Sequence, residues 1–182
     1  MTRSAHPGPE GSAVLNVLCV KWGTKYPADY VNRLRRMVAR NLPLAHRFIC
    51  LTDDAAGLEH GIETLPFLQT DLEYCWNKLL LFDRLPLEGV GLYLDLDVVV
   101  TGDLTPIATT RPDDPFVGVV DWYRLDDLQY NASVMRFHLN RHHHVIDNFR
   151  RKVAEGRLVK KREWDAYLGS HDKVVYWEGN VR

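Results

Sequence analysis

Val90-Gly91-Leu92-Tyr93-Leu94-Asp95-Leu96-Asp97-Val98-Val99-Val100 sets two aspartates inside an otherwise apolar run. Pro86 and Gly89 break the chain just before it, so 90–100 reads as a strand buried on both faces. Carboxylates at i and i+2 of a strand share a face, and burying them unpaired is costly. Relief lies at the carboxyl end of a strand in a parallel α/β sheet, where ligands collect. Oxygen ligands suit Mg²⁺ or Mn²⁺, which hold substrate phosphates as well. The competing structural reading has one aspartate capping a turn and the other pairing with an arginine. Two acids within one apolar run weigh against it, because burial without a use is hard to sustain.

Working upstream, 73–84 returns to helical period with Cys75, Trp76, Leu79, Leu80 and Phe82 as an apolar stripe. The brief 63–65 and the apolar 46–51 and 14–20 read as strands. Between the last two, 28–41 is a helix whose stripe is Tyr30, Leu34, Met37, Val38 and Leu42, ended by Pro43. Strand, helix, strand, turn, strand, helix, strand is the alternation of a parallel, Rossmann-like α/β sheet with helices on both faces. Downstream the texture changes. Strands at 116–120 and 132–137 flank a polar, aromatic loop, so the sheet becomes mixed at its C-terminal side. A helix at 144–155, a short one near 163–168 and a strand at 174–177 complete the reading.

The Pro-, Gly- and Ser-rich residues 1–12 read as a flexible lead-in, and 13–182 as a single domain. A net charge of −1 supplies no field to gather nucleic acid or an anionic membrane. No apolar run reaches the ~18 residues of a transmembrane segment, and the N-terminus lacks the apolar core of a secretory leader. Cys19, Cys50 and Cys75 are odd in number and set among apolar residues, which points to free thiols and a cytoplasmic location. His142-His143-His144 invites a metal reading, but neighbouring helical residues point in different directions, so it reads as a surface helix start.

The stretch 91–104 resembles the DxD segment of GT-A glycosyltransferases, especially the family 8-like bacterial group. Trp76-Asn77-Lys78-Leu79-Leu80-Leu81-Phe82 is similar to that group's helix beside the donor, and Tyr130-Asn131-Ala132-Ser133-Val134-Met135-Arg136-Phe137 to its later strand. The three segments stand in the expected order. The resemblance implies a GT-A-like fold and a metal-assisted hexosyltransferase-like enzyme. Such an enzyme moves a sugar from a nucleoside diphosphate sugar, a UDP-sugar by preference, to a hydroxyl of a sugar, lipid or protein acceptor, with retention of configuration.

By the same resemblance Asp97 ligates Mn²⁺ or Mg²⁺, and Asp95 ligates the metal or the donor ribose. Lys78 adds positive charge near the phosphates, Asn131 approaches the transferred sugar, and Asp165 is the match for an acid facing the sugars. The sheet edge at Val20-Lys21-Trp22-Gly23 receives base and ribose, with Trp22 either stacking on the base or covering the sheet end. Gly23 permits close backbone approach. Asp53 and Asp54 either bind base or ribose or form Asx turns. Trp122, Tyr123 and Tyr130 are an acceptor platform or loop packing.

The chain departs from the pattern in two places. No Gln follows Asp165, and no C-terminal segment supplies a third, histidine ligand, for which His171 is a substitute only in principle. Two rivals follow. In a haloacid dehalogenase-type phosphatase Asp95 would be the nucleophile and Asp97 the acid/base, but that motif normally ends a first strand. The other rival is a non-catalytic nucleotide-sugar-binding protein.

Overall fold

The structure, a computed structural model, describes residues 15–67, 72, 74–120, 130–155 and 175–177. The expected helix at 163–168, with Asp165, and the residues Trp122, Tyr123 and His171 lie outside them.

Strand β1 (Leu15–Lys21) is buried at every residue, as a central strand covered on both faces must be. It pairs in parallel with β2 (His46–Thr52) and, on its other side, with the strand Val90–Leu94. Numbered along the chain, β3 (Glu63–Pro66) continues the parallel sheet beyond β2, and Val90–Leu94 is β4. Past β4 the sheet becomes mixed. Strand β6 (Tyr130–His138) runs antiparallel to both β4 and β5 (Phe116–Val120), and β7 (Val175–Trp177) lies parallel to β5. The order is β3-β2-β1-β4-β6-β5-β7, so β6 alone opposes its neighbours among the described strands. This is the expected mostly parallel α/β sheet, mixed at its C-terminal side.

Two apolar layers sandwich the sheet. On one face α1 (Ala28–Asn41) sets Val31, Leu34 and Val38 against Val17, Cys19, Phe48, Cys50, Leu92 and Leu94. Residues 31, 34 and 38 recur at one helical face, whereas Tyr30, expected in that stripe, sits a residue off it and is exposed. Tyr30 packs instead on Tyr26, edge to face at 4.9 Å. The helix stops where expected: Leu42 N bonds Val38 O at 2.9 Å, and Pro43 cannot prolong the ladder.

The opposite face carries a 3-10 helix (Tyr74–Phe82) and α3 (His143–Ala154), joined by Phe149 on Trp76 at 4.9 Å. The apolar pattern at 73–84 reads as an α-helix, yet the structure winds it more tightly. With three residues per turn Trp76, Leu79 and Phe82 fall on one line, and all three are buried in the same apolar cluster. Gly91 makes room on this face, because a Cβ there would lie 3.0 Å from Leu18 Cδ1 and 3.2 Å from Phe137 Cζ.

Three readings are corrected. The strand expected over 90–100 ends at Leu94, and Val98 N bonds Asp95 O at 3.2 Å, closing a turn. The two aspartates therefore lie past the strand rather than inside it: Asp97 is exposed, while Asp95 stays largely sheltered. The helix α2 (Thr105–Thr109), with Pro106 in its first turn, was not expected. His142 is not a surface residue. It is buried with Nε2 2.9 Å from Pro115 O, its ring edge-on to Phe82, Phe116 and Phe137.

One buried charge staples the mixed half of the sheet. Arg136 on β6 is 1% exposed and donates from Nη2 to the carbonyls of Arg111 (2.6 Å) and Asp114 (3.1 Å). Arg136→Ala leaves those carbonyls short of a donor and opens a cavity. We expect a loss of about 3 kcal/mol, a fall in Tm of roughly 9 °C. A melting temperature within ~2 °C of the parent would show that the staple contributes little.

Candidate active site

Strands β1 and β4 lie side by side, but β1 leads to β2 on its one flank while β4 lies on the other. A parallel sheet opens a crevice at such a switch point, outside the carboxyl ends of the strands. The residues just past Lys21 and Leu94 meet there.

Asp95 follows β4, and its backbone N extends the ladder by bonding Ser133 O at 2.9 Å. Its two carboxylate oxygens have separate partners. Lys78 Nζ, from the 3-10 helix, lies 2.7 Å from Oδ2, and the hydroxyl of Tyr93 donates to Oδ1. The ion pair is largely sheltered, with side chains 12% and 17% exposed for Lys78 and Asp95. Tyr93 stands two residues before Asp95 on the same side of the strand, beneath the helix that brings Lys78. Burial, and then the Asp95 charge, pushes the Tyr93 hydroxyl well above its ordinary pKa, so it remains a proton donor.

Asp97 is held from the other side. It is exposed, and Tyr26 from the β1–α1 loop donates its hydroxyl to Oδ2 at 2.8 Å. That hydrogen bond, ahead of burial, raises the Tyr26 pKa. Asp95 is thus fixed by groups from one face of the sheet and Asp97 by a loop from the other.

The remaining expected site residues are placed as follows. Asn131 is the second residue of β6, and its Oδ1 accepts from Ser133 N at 2.7 Å, one hydrogen-bonded step from Asp95. Val20 is core, and Trp22 is partly buried against the same apolar cluster, so packing occupies at least part of its ring. Lys21 turns away to the β2–β3 loop, with Nζ 3.2 Å from Asp54 O. Gly23 has φ +55°, a conformation that favours glycine, and its N bonds Asp53 Oδ2 at 2.8 Å. Of the two readings of Asp54, the structure shows the local turn, Oδ1 accepting from Ala56 N at 2.9 Å.

Reading the sequence did not single out Tyr26 and Tyr93. Tyr93 could have been found from its i−2 relation to Asp95. Tyr26 carries no such signal, because a loop brings it from 71 residues away.

Among the described residues no group of three or more His, Cys, Asp or Glu side chains gathers as a metal site. Of the two acids, Asp95 has both oxygens engaged by Lys78 and Tyr93, whereas Asp97 leaves Oδ1 open and fits Mg²⁺ or Mn²⁺, which commonly bind through one or two carboxylates, with substrate phosphates and water completing the shell.

No protein-family model and no curated protein matches the chain. Its fold does match solved structures. An active-site mutant of LgtC aligns with a TM-score of 0.66 and 17% identity, over 88% of this chain and 71% of that one. The glycosyltransferase GlyE of Streptococcus pneumoniae TIGR4 aligns with a TM-score of 0.66 and 15% identity, over 92% of this chain. The apo form of GlyE gives a TM-score of 0.62 and 14% identity. The chain spans 46% of the length of GlyE. The fold is therefore GT-A-like.

Proposed function

We propose that the chain is a glycosyltransferase of the family 8-like group, moving a sugar from a UDP-sugar to an acceptor hydroxyl with retention of configuration. One observation carries this. In a fold shared with GlyE, an Asp-Leu-Asp turn, with a lysine ion-paired to its first acid, stands at the switch point of the sheet.

In this reading Asp97, with Asp95 beside it, holds Mn²⁺ or Mg²⁺ against the donor diphosphate. The bound cation supplies Lewis-acid stabilisation of charge on the departing diphosphate. Asp95 keeps Lys78 at the site, so that its ammonium adds fixed positive charge where negative charge develops. Tyr93 sets the Asp95 rotamer from below. Residues 20–23 border the nucleoside, with Gly23 offering backbone rather than side chain. Asn131 and Asp165 orient the transferred sugar. The acceptor is a sugar, a lipid or a protein hydroxyl. Buried free thiols at Cys19 and Cys50 accord with a cytoplasmic location. No helix among the described residues is long and apolar enough to cross a membrane.

A thermal-shift screen of nucleotides and sugar nucleotides, with and without Mn²⁺, tests the reading. Stabilisation by UDP that requires the metal is the expected result. At a hundredfold excess over Kd it amounts to about 2.7 kcal/mol, or roughly 5–11 °C in Tm. Turnover of p-nitrophenyl phosphate that vanishes in Asp95→Asn would instead establish the phosphatase. Metal-dependent UDP binding without transfer or hydrolysis of any donor would establish the binding protein.

A further inference from the structure

The β1–α1 loop is tied down at both ends by acids from two other loops. At its start Gly23 N bonds Asp53 Oδ2 of the β2–β3 loop, and near its end Tyr26 bonds Asp97 Oδ2, both at 2.8 Å. Three loops at the carboxyl edge of the sheet are therefore one hydrogen-bonded chain, running from Asp53 through Gly23 and Tyr26 to Asp97. The Tyr26 ring is further fixed by Tyr30, edge to face at 4.9 Å, and by Lys25 Nζ, 4.8 Å from its centroid.

Asp97 needs such a tether. It lies past the end of β4, exposed, in a turn closed by Val98 N on Asp95 O. Among the described residues its carboxylate has one side-chain partner, the Tyr26 hydroxyl, in contrast to the two that hold Asp95. A hydroxyl on Oδ2 selects one rotamer and leaves Oδ1 to face a ligand. Outer hydrogen bonds of this kind orient metal-binding carboxylates, and their loss commonly costs 10–100-fold in metal affinity.

We propose that Tyr26 is a positioning residue that couples nucleotide binding to divalent-cation binding, by holding Asp97 with the same loop that borders the nucleoside. The proposal rests on the glycosyltransferase reading of the site. A nucleotide seated on residues 22–24 holds the loop in this hydrogen-bonded arrangement, the loop holds Tyr26, and Tyr26 sets Asp97 for the cation. The coupling is reciprocal, so the cation improves nucleotide affinity by the same factor.

The test measures Mn²⁺ affinity by the paramagnetic resonance signal of free Mn²⁺, with and without UDP, on the full chain. In the wild type UDP is expected to tighten Mn²⁺ binding by a factor within the usual ~5–150-fold range for coupled sites. Tyr26→Phe keeps the ring contacts with Tyr30 and Lys25 and removes only the hydroxyl. It is expected to weaken Mn²⁺ binding about tenfold and to lower the UDP enhancement severalfold, to the share that the diphosphate supplies by ligating the cation itself. A purely structural role for Tyr26 would lower the melting temperature without changing that ratio.

Asp53→Ala cuts the chain at its other end. It should reduce the enhancement while leaving Mn²⁺ affinity without UDP near the wild-type value, and it serves alone if Tyr26→Phe fails to fold. Tyr30→Phe should change neither quantity. A wild-type enhancement in either folded variant of the chain overturns the coupling and leaves the nucleotide-sugar reading standing. A wild-type protein that binds neither Mn²⁺ nor UDP overturns both.

Discussion

Asp97→Ala is expected to abolish the metal-dependent stabilisation by UDP and to lower sugar transfer on the order of 10³-fold, with almost no change in the stability of the ligand-free protein. The two halves of that expectation have separate physical grounds. Asp97 is exposed and lies in a turn, so its removal from the unliganded chain costs one surface hydrogen bond to Tyr26. Surface changes of this kind usually stay within about 0.5 kcal/mol. With donor bound, the same carboxylate is asked to anchor the cation that offsets charge on the diphosphate. Loss of a preorganised charge-stabilising group commonly costs about 10²–10³ in turnover. Melting curves with UDP, with Mn²⁺ and with both, together with transfer assays, measure each half. A metal-dependent shift as large in Asp97→Ala as in the wild type would refute the site assignment.

Lys78→Met is expected to lose stability and sugar transfer together. The Lys78–Asp95 pair is sheltered, and removing the ammonium leaves a carboxylate in place with the Tyr93 hydroxyl as its remaining side-chain partner among the described residues. Breaking one side of a buried pair typically costs 3–5 kcal/mol, whereas removing both charges is often close to neutral. Because both side chains keep some solvent contact, we expect about 2–3 kcal/mol for Lys78→Met. Lys78→Met/Asp95→Asn should recover much of that loss. The cycle read from urea unfolding isolates the interaction. Lys78→Met within ~0.5 kcal/mol of the parent would mean that solvent already screens the pair. Transfer should fail in both variants, since neither retains the acid–lysine arrangement, so a stable, inactive double variant would separate function from folding.

The tight winding of the 3-10 helix gives the Lys78 effect its structural basis. An α-helix over the same residues would rotate successive side chains by 100° and scatter Trp76, Leu79 and Phe82 over a wider arc. In the tighter helix those three line one edge against the sheet, and Lys78 is left to reach Asp95. Period alone did not distinguish the two windings, because apolar residues three apart satisfy either.

Much of the fold was legible in local pattern. The helix at 28–41 and the strand at 116–120 have the bounds read from the sequence, and the parallel half of the sheet follows from apolar runs alternating with helical period. The errors cluster where a local rule met a tertiary demand. Valines at 98–100 favour a strand, yet the chain turns after Asp95, where Val98 N bonds Asp95 O and Asp97 is left exposed. His142 looked like surface beside His143 and His144, but Pro115 O and three aromatic rings, all distant in sequence, provide for its burial.

The Asp-Leu-Asp run on its own determined that an apolar strand of an α/β sheet carries two acids, while the fold decided that the strand stops at Leu94 and leaves them past its end. The first follows from burial and side-chain alternation, which are local. Tertiary structure decided the distant partners that each acid meets there. Asp95 receives a lysine from a 3-10 helix and a tyrosine from its own strand, and Asp97 receives a tyrosine from a loop before α1. Hydrogen bonds between groups 17 and 71 residues apart depend on which strands become neighbours, and no periodicity along the chain records that.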